Sequence, residues 1–232
     1  MDNNNESIFK RLMTLPPFNG ASLNALKEIA GKTKLNFLKY LENETIIRAG
    51  ETCEYLTLAI TGKIKVTIET DDRRFVVSHY LDAPNIIAPE FLFGRTTVFP
   101  CTVTAIEPTG ILKIAKSDYL HLLKSENVFL LNFLNIISRS AQNSVEGILA
   151  LANGSLEERI AFWIVSLTQP GAYDITLTGG TRSLYTRFGV PRSTLIATLD
   201  RMKERHILDY APGEIKIFER KSMLGLLSTP VE

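Results

Sequence analysis

The spacing of hydrophobic and polar positions changes twice along this 232-residue chain. Residues 6–34 hold short amphipathic runs, with Ser22 placed as a cap before LNALKEIA, and this predicts short helices. Residues 35–115 turn to short β-type runs: LNFLKYL, TIIRAG, YLTLAI, KIKVTIE, RFVVSHYL, CTVTAIE and GILKIA. Gly50, Gly62, TDDRR, Pro89, Pro100 and EPTG punctuate them. Short strands at near-regular spacing, with turn residues between, predict a small antiparallel barrel or roll. KIKVTIE alternates strictly, as a strand with one wet face does. From about Ser117 the spacing becomes helical.

Within LLNFLNIISRSAQNSVEGILAL, the residues Leu130, Leu134, Ile137, Ala141, Ser144, Ile148 and Leu151 recur at alternating steps of four and three. This is an a/d seam held for three heptads, on a helix expected over about 126–152. One reading is a long core helix packed on its own roll. The other is a helix that pairs with a copy of itself, because a core helix of period 3.6 drifts away from strict heptads. Ala141 and Ser144 are small, which lets two helices approach closely or leaves room for a ligand.

Asn153-Gly154 is a stop signal, and Ser155 with Glu158 has the spacing of a capping box that starts the next helix. A boundary is therefore expected near 153, between an effector-type roll domain with its helix (1–152) and a second domain (153–232). TQPGAYDITLTGGT predicts a turn, a short strand and another turn. Residues 181–206 then read as helix, tight turn, helix. TRSLYTRF is the first helix, Gly189-Val190-Pro191 the turn, and RSTLIATLDRMKER the second helix. Leu195, Leu199 and Met202 share one face of the second helix, with Leu184, Phe188 and Val190 as packing partners. Arg192, Ser193, Ile196 and Ala197 point the other way. ILDYAPGEIKIF predicts a hairpin wing.

Charge sharpens the picture. The whole chain is only +1, yet residues 181–205 hold six Lys or Arg against two acids, a local net of +4. That concentration lies where a phosphate backbone would run. An ordinary helical hairpin with a solvated basic face is the alternative. The added wing and upstream seam favour DNA reading, with Arg192, Ser193, Thr194, Ile196 and Ala197 toward the bases and Arg187 and Arg201 toward phosphates.

RAGETCEYLTLAITGKIKV, SLEERIAFWIVSL and LYTRFGVPRSTLIATLDRMKERHIL together resemble the cyclic-AMP receptor protein/FNR (Crp/Fnr) family of bacterial transcription regulators, over nearly the whole chain. The resemblance implies an α+β fold: an antiparallel jelly roll like that of cyclic-nucleotide-binding domains, a long dimerisation helix and a C-terminal winged helix-turn-helix. It further implies a homodimer on a palindromic promoter site, with RNA polymerase as a candidate partner and a small effector in each roll that shifts the pose of the reading heads. Arg192 matches the family's Arg at the start of the recognition helix. Ser193, Ala197 and Tyr185 depart from the family's usual Glu, Arg and small residue, so a different half-site is expected.

The family's phosphate cradle corresponds to APEFLFGRTTVFPCTVTA. Glu90 matches, but Pro89 replaces a Gly, and Phe99-Pro100 stand where an Arg and its small neighbour should be. A cyclic phosphate thereby loses its bidentate charge partner and a backbone donor. Arg95 lies four residues early, and Ser144 matches a hydroxyl position on the dimer helix. The expected effector pocket comprises Glu90, Phe91, Arg95, Phe99 and Ser144, with cyclic AMP not the effector. A true cyclic-nucleotide sensor is the alternative. Phe91, Leu92, Phe93 and Phe99 suggest either a less charged ligand or plain roll core.

Other chemistries find less support. His79, His121 and His206 are scattered, and the N-terminus has no cysteine cluster, so neither metal nor cofactor is expected. This argues against a cupin-like roll enzyme, and no nucleophilic constellation is present. Cys53 and Cys101 are read as buried structural thiols rather than a redox pair. No run reaches about 18 apolar residues and no signal segment opens the chain, so a cytoplasmic protein without membrane contact is expected.

Overall fold

The structure, a computed structural model, describes residues 9–70 and 72–227; the side chains of 29, 32, 143, 144 and 146–153 lie outside the described set. The chain forms two compact units, one of residues 1–64 with 82–141 and one of 65–81 with 142–232. The hairpin segment 65–81 thus groups with the C-terminal residues, whereas the expected boundary near 153 followed chain order.

The first unit opens with helical residues 9–13, a 3-10 turn at Pro16–Phe18 and helix α1 (Leu23–Lys32). The Ser22 hydroxyl accepts from the Ala25 N–H at 3.1 Å, as its cap position predicts. Strands β1 (Leu35–Tyr40), β8 (Thr109–Ala115), β3 (Tyr55–Thr61) and β6 (Asn85–Ile87) form one antiparallel sheet, in the order β1-β8-β3-β6. Strands β2 (Thr45–Ile47) and β7 (Thr102–Ala105) pair antiparallel. Each predicted β run yields a strand; β6 was not foreseen, because NII is too short to show a period. Leu56, Leu58, Ile64, Val103, Leu112 and Ile114 fill the roll.

Helix α2 (Lys116–Ser125) ends at Glu126, and helix α3 (Asn127–Asn153) follows at once. One face of α3 belongs to the roll. Phe129 meets Phe18 edge-on, and Phe133 meets both Phe93 and Tyr119 at 5.5 Å. Asn132 donates to the Asn19 carbonyl at 2.7 Å. The adjacent stripe with Leu130 and Leu134 is exposed.

In the second unit the Ser155–Glu158 capping box forms as predicted and starts helix α4 (Leu156–Ser166). Strands β10 (Leu208–Ala211), β11 (Glu214–Glu219), β9 (Tyr173–Gly179) and β5 (Phe75–Asp82) follow in that spatial order. The alternating strand β4 (Lys63–Glu69) leads into β5 through a turn that includes 72–74. Helices α5 (Thr181–Phe188) and α6 (Arg192–Glu204) are the expected pair. A last helix, α7 (Arg220–Leu227), packs on α4 and was not foreseen. Its Arg220 is buried. Its guanidinium donates to the Thr168 and Val165 carbonyls, sealing the C-terminal end of α4, where carbonyls lack helical partners.

Candidate nucleic-acid interface and effector site

The turn between α5 and α6 is built by local chemistry. Gly189 adopts φ +65°, the left-handed conformation that ends a helix, and its N–H returns to the Thr186 carbonyl. Arg159 of α4 donates to the Phe188 carbonyl at 2.6 Å and lies over the Phe188 ring, fixing the turn from beneath. Pro191 is the N-cap of α6 rather than its first residue, with ψ 149°. The buried face of α6 is Leu195, Thr198, Leu199 and Met202, and Thr198 satisfies its hydroxyl on the Thr194 carbonyl. Leu184 and Phe188 are buried with them; Val190 is half-buried.

Arg192, Ser193, Thr194 and Ala197 are exposed, and Ile196 is half-buried. Among the described residues Arg192 has no hydrogen-bond, ion-pair or ring partner. The other cations of the stretch are mostly engaged. Glu157, in the first turn of α4, accepts from Arg201 at 3.1 Å and from Arg205 at 2.7 Å. Lys203 pairs with Asp209 at 2.6 Å, while the Tyr210 hydroxyl donates to Asp200, so the wing is tied to α6 twice. The Arg187 guanidinium lies 4.5 Å from the Trp163 ring centroid and 5.6 Å from that of Phe75. The two residues expected at phosphates, Arg187 and Arg201, are thus exposed cations with internal partners. Glu157, Trp163 and Phe75 were missed, because their partners lie far away in sequence.

In the roll unit the cradle segment is zipped to residues 49–53. Phe99 donates its N–H to the Glu51 carbonyl and accepts from the Gly50 N–H, both at 2.9 Å; Cys53 donates to Thr97 at 2.7 Å. Phe99 is buried and Pro100 exposed. Pro89–Phe91 form a 3-10 turn entered from Ala88 at φ 44°. Phe93 packs on Phe133 with the Lys116 ammonium 5.2 Å over its ring, and Leu92 is fully buried, so this apolar run is largely core. Arg95 and Glu90 are exposed and Phe91 is half-buried. Desolvation still raises the Glu90 carboxyl above the usual carboxylate range, though its side chain reaches solvent. The Ser144 side chain lies outside the described residues. A cleft of about 270 Å³ is lined by Thr52, Cys53, Tyr55, Thr97, Lys116 and Ser117, and by none of the expected pocket residues.

Burial pushes the Cys53 thiol up to about 11 and the Cys101 thiol up to about 12, so both stay protonated near neutral pH. No group of three metal-ligating side chains occurs among the described residues, and no described helix is long and apolar enough to cross a membrane.

A roll, a long helix and a winged helix-turn-helix define a class of two-part proteins in which a roll precedes a winged helix-turn-helix. Residues 37–126 match the family described as cyclic nucleotide-binding domain. The chain is 23% identical over 177 residues to the cAMP-activated global transcriptional regulator CRP of Pasteurella multocida, covering 73% of this chain and 84% of that protein. In fold it is similar to the Thermus thermophilus catabolite activator protein, with TM-score 0.53, 17% identity, and 91% and 98% of the two chains covered. The sensor domain of the regulator DNR from Pseudomonas aeruginosa superposes with TM-score 0.50 at 18% identity, over 59% of this chain and 89% of that one. Residues 37–126 therefore match the cyclic nucleotide-binding domain family, and the chain as a whole is similar in fold to the catabolite activator protein.

Proposed function

We propose that the chain is a homodimeric, sequence-specific DNA-binding regulator whose reading domain is residues 153–232. The observation that carries this reading is Arg192: exposed, without a partner among the described residues, and first in a helix whose opposite face is buried. A guanidinium there can donate in parallel to O6 and N7 of a guanine in the major groove. Ser193 and Thr194 bond a base edge or a phosphate, and the half-buried Ile196 touches a thymine methyl. Ala197 is the small neighbour that lets the groove edge approach. Arg187 and Arg201 serve phosphates by exchanging their internal partners. Leu130, Leu134, Ile137 and Ala141, with Ser144, Ile148 and Leu151 beyond them, form the dimer seam; the exposure of Leu130 and Leu134 supports it. RNA polymerase is the further partner such a regulator takes.

Binding-site selection on the wild type and on Arg192→Ala tests the reading. The variant should lose roughly 1–3 kcal/mol per half-site and relax the preference at one guanine. An unchanged consensus demotes Arg192 to a backbone contact.

We infer further that the effector is not cyclic AMP. At Phe99-Pro100 one side chain is buried apolar, its N–H is already spent on Glu51, and the next residue has no N–H, so neither a guanidinium nor an amide meets a phosphate. Arg95 and Glu90 remain the polar groups of the proposed pocket, with Phe91 and Phe99 as its walls and Ser144 on the helix. The second reading, a cyclic-nucleotide-responsive regulator, draws on the description of the matched domain family and on the CRP relative's name.

A further inference from the structure

Strand β5 carries an alternating pattern with one anomaly. Phe75, Val77, His79 and Leu81 point inward, and His79 is a fully buried polar residue in that apolar row. The strand adds antiparallel to β9, with Phe75 opposite Gly179, Val77 opposite Leu177 and Ser78 opposite Thr176. Gly179 admits the Phe75 ring because it has no side chain: a Cβ there would stand 2.8 Å from the ring's Cε1 and 2.9 Å from the Arg74 carbonyl. The ring then meets Trp163 edge-on at 4.9 Å, and Trp163 meets Phe188 at 5.7 Å. One aromatic chain therefore runs from β5 through α4 to the last residue of α5, and Arg187 lies over its first two rings.

The hairpin turn adds charge to this contact. The Asp72 carboxyl is held below its ordinary range, first by the Thr70 hydroxyl, then by the Arg74 N–H, with smaller contributions from the Arg74 and Arg187 charges. Arg187 thus has ring faces and a nearby carboxylate where DNA would offer a phosphate.

The contact also carries an internal cost. The His79 Nδ1 is buried and has no partner among the described residues, while its Nε2 accepts from the Gln169 N–H at 3.4 Å. The buried Arg220 cation acts on the same imidazole. Strand β9 stays paired with β11 on its other edge, so it does not depend on β5 for its ladder.

We propose that β5 is a detachable latch on the reading head, which completes the β9 edge and holds Arg187 on Phe75 and Trp163, and whose release frees Arg187 for a DNA phosphate. This rests on the DNA-binding reading above. Because the 65–81 hairpin is joined in sequence to roll segments at both of its ends, a ligand or partner that reshapes it would act on DNA affinity through this latch.

Two full-length proteins test it. Gly179→Ala leaves the reading helix untouched but puts a methyl group where the Phe75 ring sits. It should raise amide exchange at least tenfold in residues 75–80 and 173–179 while β10 and α6 stay protected, and should tighten DNA binding severalfold. In the second protein, Ser78→Cys with Thr176→Cys places two thiols at register partners, where a disulfide locks the latch. Oxidised, this protein should bind the selected duplex at least tenfold more weakly than when reduced. Its log affinity against log salt should be shallower by about one unit per protomer, the loss of one phosphate contact. Equal affinity and equal slope in both redox states overturn the latch, as does unchanged exchange in Gly179→Ala. Failure of every form to select any duplex sequence, with exchange raised as expected, overturns the DNA reading instead and the regulatory role with it.

Discussion

His79 shows how one residue can set a pH limit. Burial, and then the Arg220 charge, lower its pKa from 6.5 to about 4, so it is neutral in the fold and accepts a hydrogen bond. The unfolded chain takes up the proton at higher pH than the folded one. Its contribution to stability is therefore complete above pH 6.5 and falls as pH drops toward 4, by about 2 kcal/mol at pH 5. Urea unfolding at pH 7.5 and pH 5 should show this loss in the wild type. His79→Gln keeps an acceptor without a titrating group and should lose much less over the same interval; an equal loss would assign the effect elsewhere. Cys53 and Cys101 make a second case. With thiols at about 11 and 12 and both side chains buried, neither should react with iodoacetamide at pH 8 until denaturant opens the roll. Labelling of the native protein at the rate of a free thiol would contradict this.

Among elements, α6 and the first two turns of α3 each present a buried face and an exposed one. On α3, Phe129 and Phe133 belong to the roll while Leu130 and Leu134 face outward, and Leu134 is 49% exposed. An apolar row of that kind costs little only if something covers it. Ile137→Glu puts like charges face to face in the proposed seam. Sedimentation should then show a monomer, and DNA affinity should collapse to that of one half-site. A persistent dimer would mean that the seam serves its own roll. On α6 the acidic partner matters as much as the bases. Glu157 pairs with both Arg201 and Arg205 through its two oxygens. Glu157→Gln should release two guanidinium groups and steepen the salt dependence of DNA binding, by up to about two units per protomer. An unchanged slope in a fluorescence anisotropy titration would mean that neither arginine lies near phosphate.

At the scale of the whole molecule, ligand choice is the open chemistry. Calorimetry with cyclic AMP and cyclic GMP at high micromolar protein should give no saturable heat, because Phe99-Pro100 removes both kinds of phosphate donor. Saturable micromolar binding would return Arg95 to the phosphate position and favour the cyclic-nucleotide reading. The 270 Å³ cleft beside Lys116 is lined by none of the residues expected to form the pocket, so Arg95→Ala and Lys116→Ala in the same titration distinguish the two sites.

The sequence by itself determined whatever is encoded locally. Strands follow from alternation, the Gly189 turn from a residue that tolerates positive φ, and the α4 start from the Ser155–Glu158 box. The two faces of α6 follow from helical spacing, so the exposed Arg192 and the buried Leu195, Leu199 and Met202 were legible in advance. Only the tertiary structure decided which charges remain free. Glu157 and Arg201 are 44 residues apart, and no periodicity links them. The same holds for Phe75 beneath Arg187, for Arg220 sealing α4, and for β5 on the edge of β9. Local signals report the backbone preference of a few neighbouring residues. Strand addition, ring stacking and ion pairing depend on which distant segments the fold brings within a few ångströms, and that is set by burying the whole apolar surface at once.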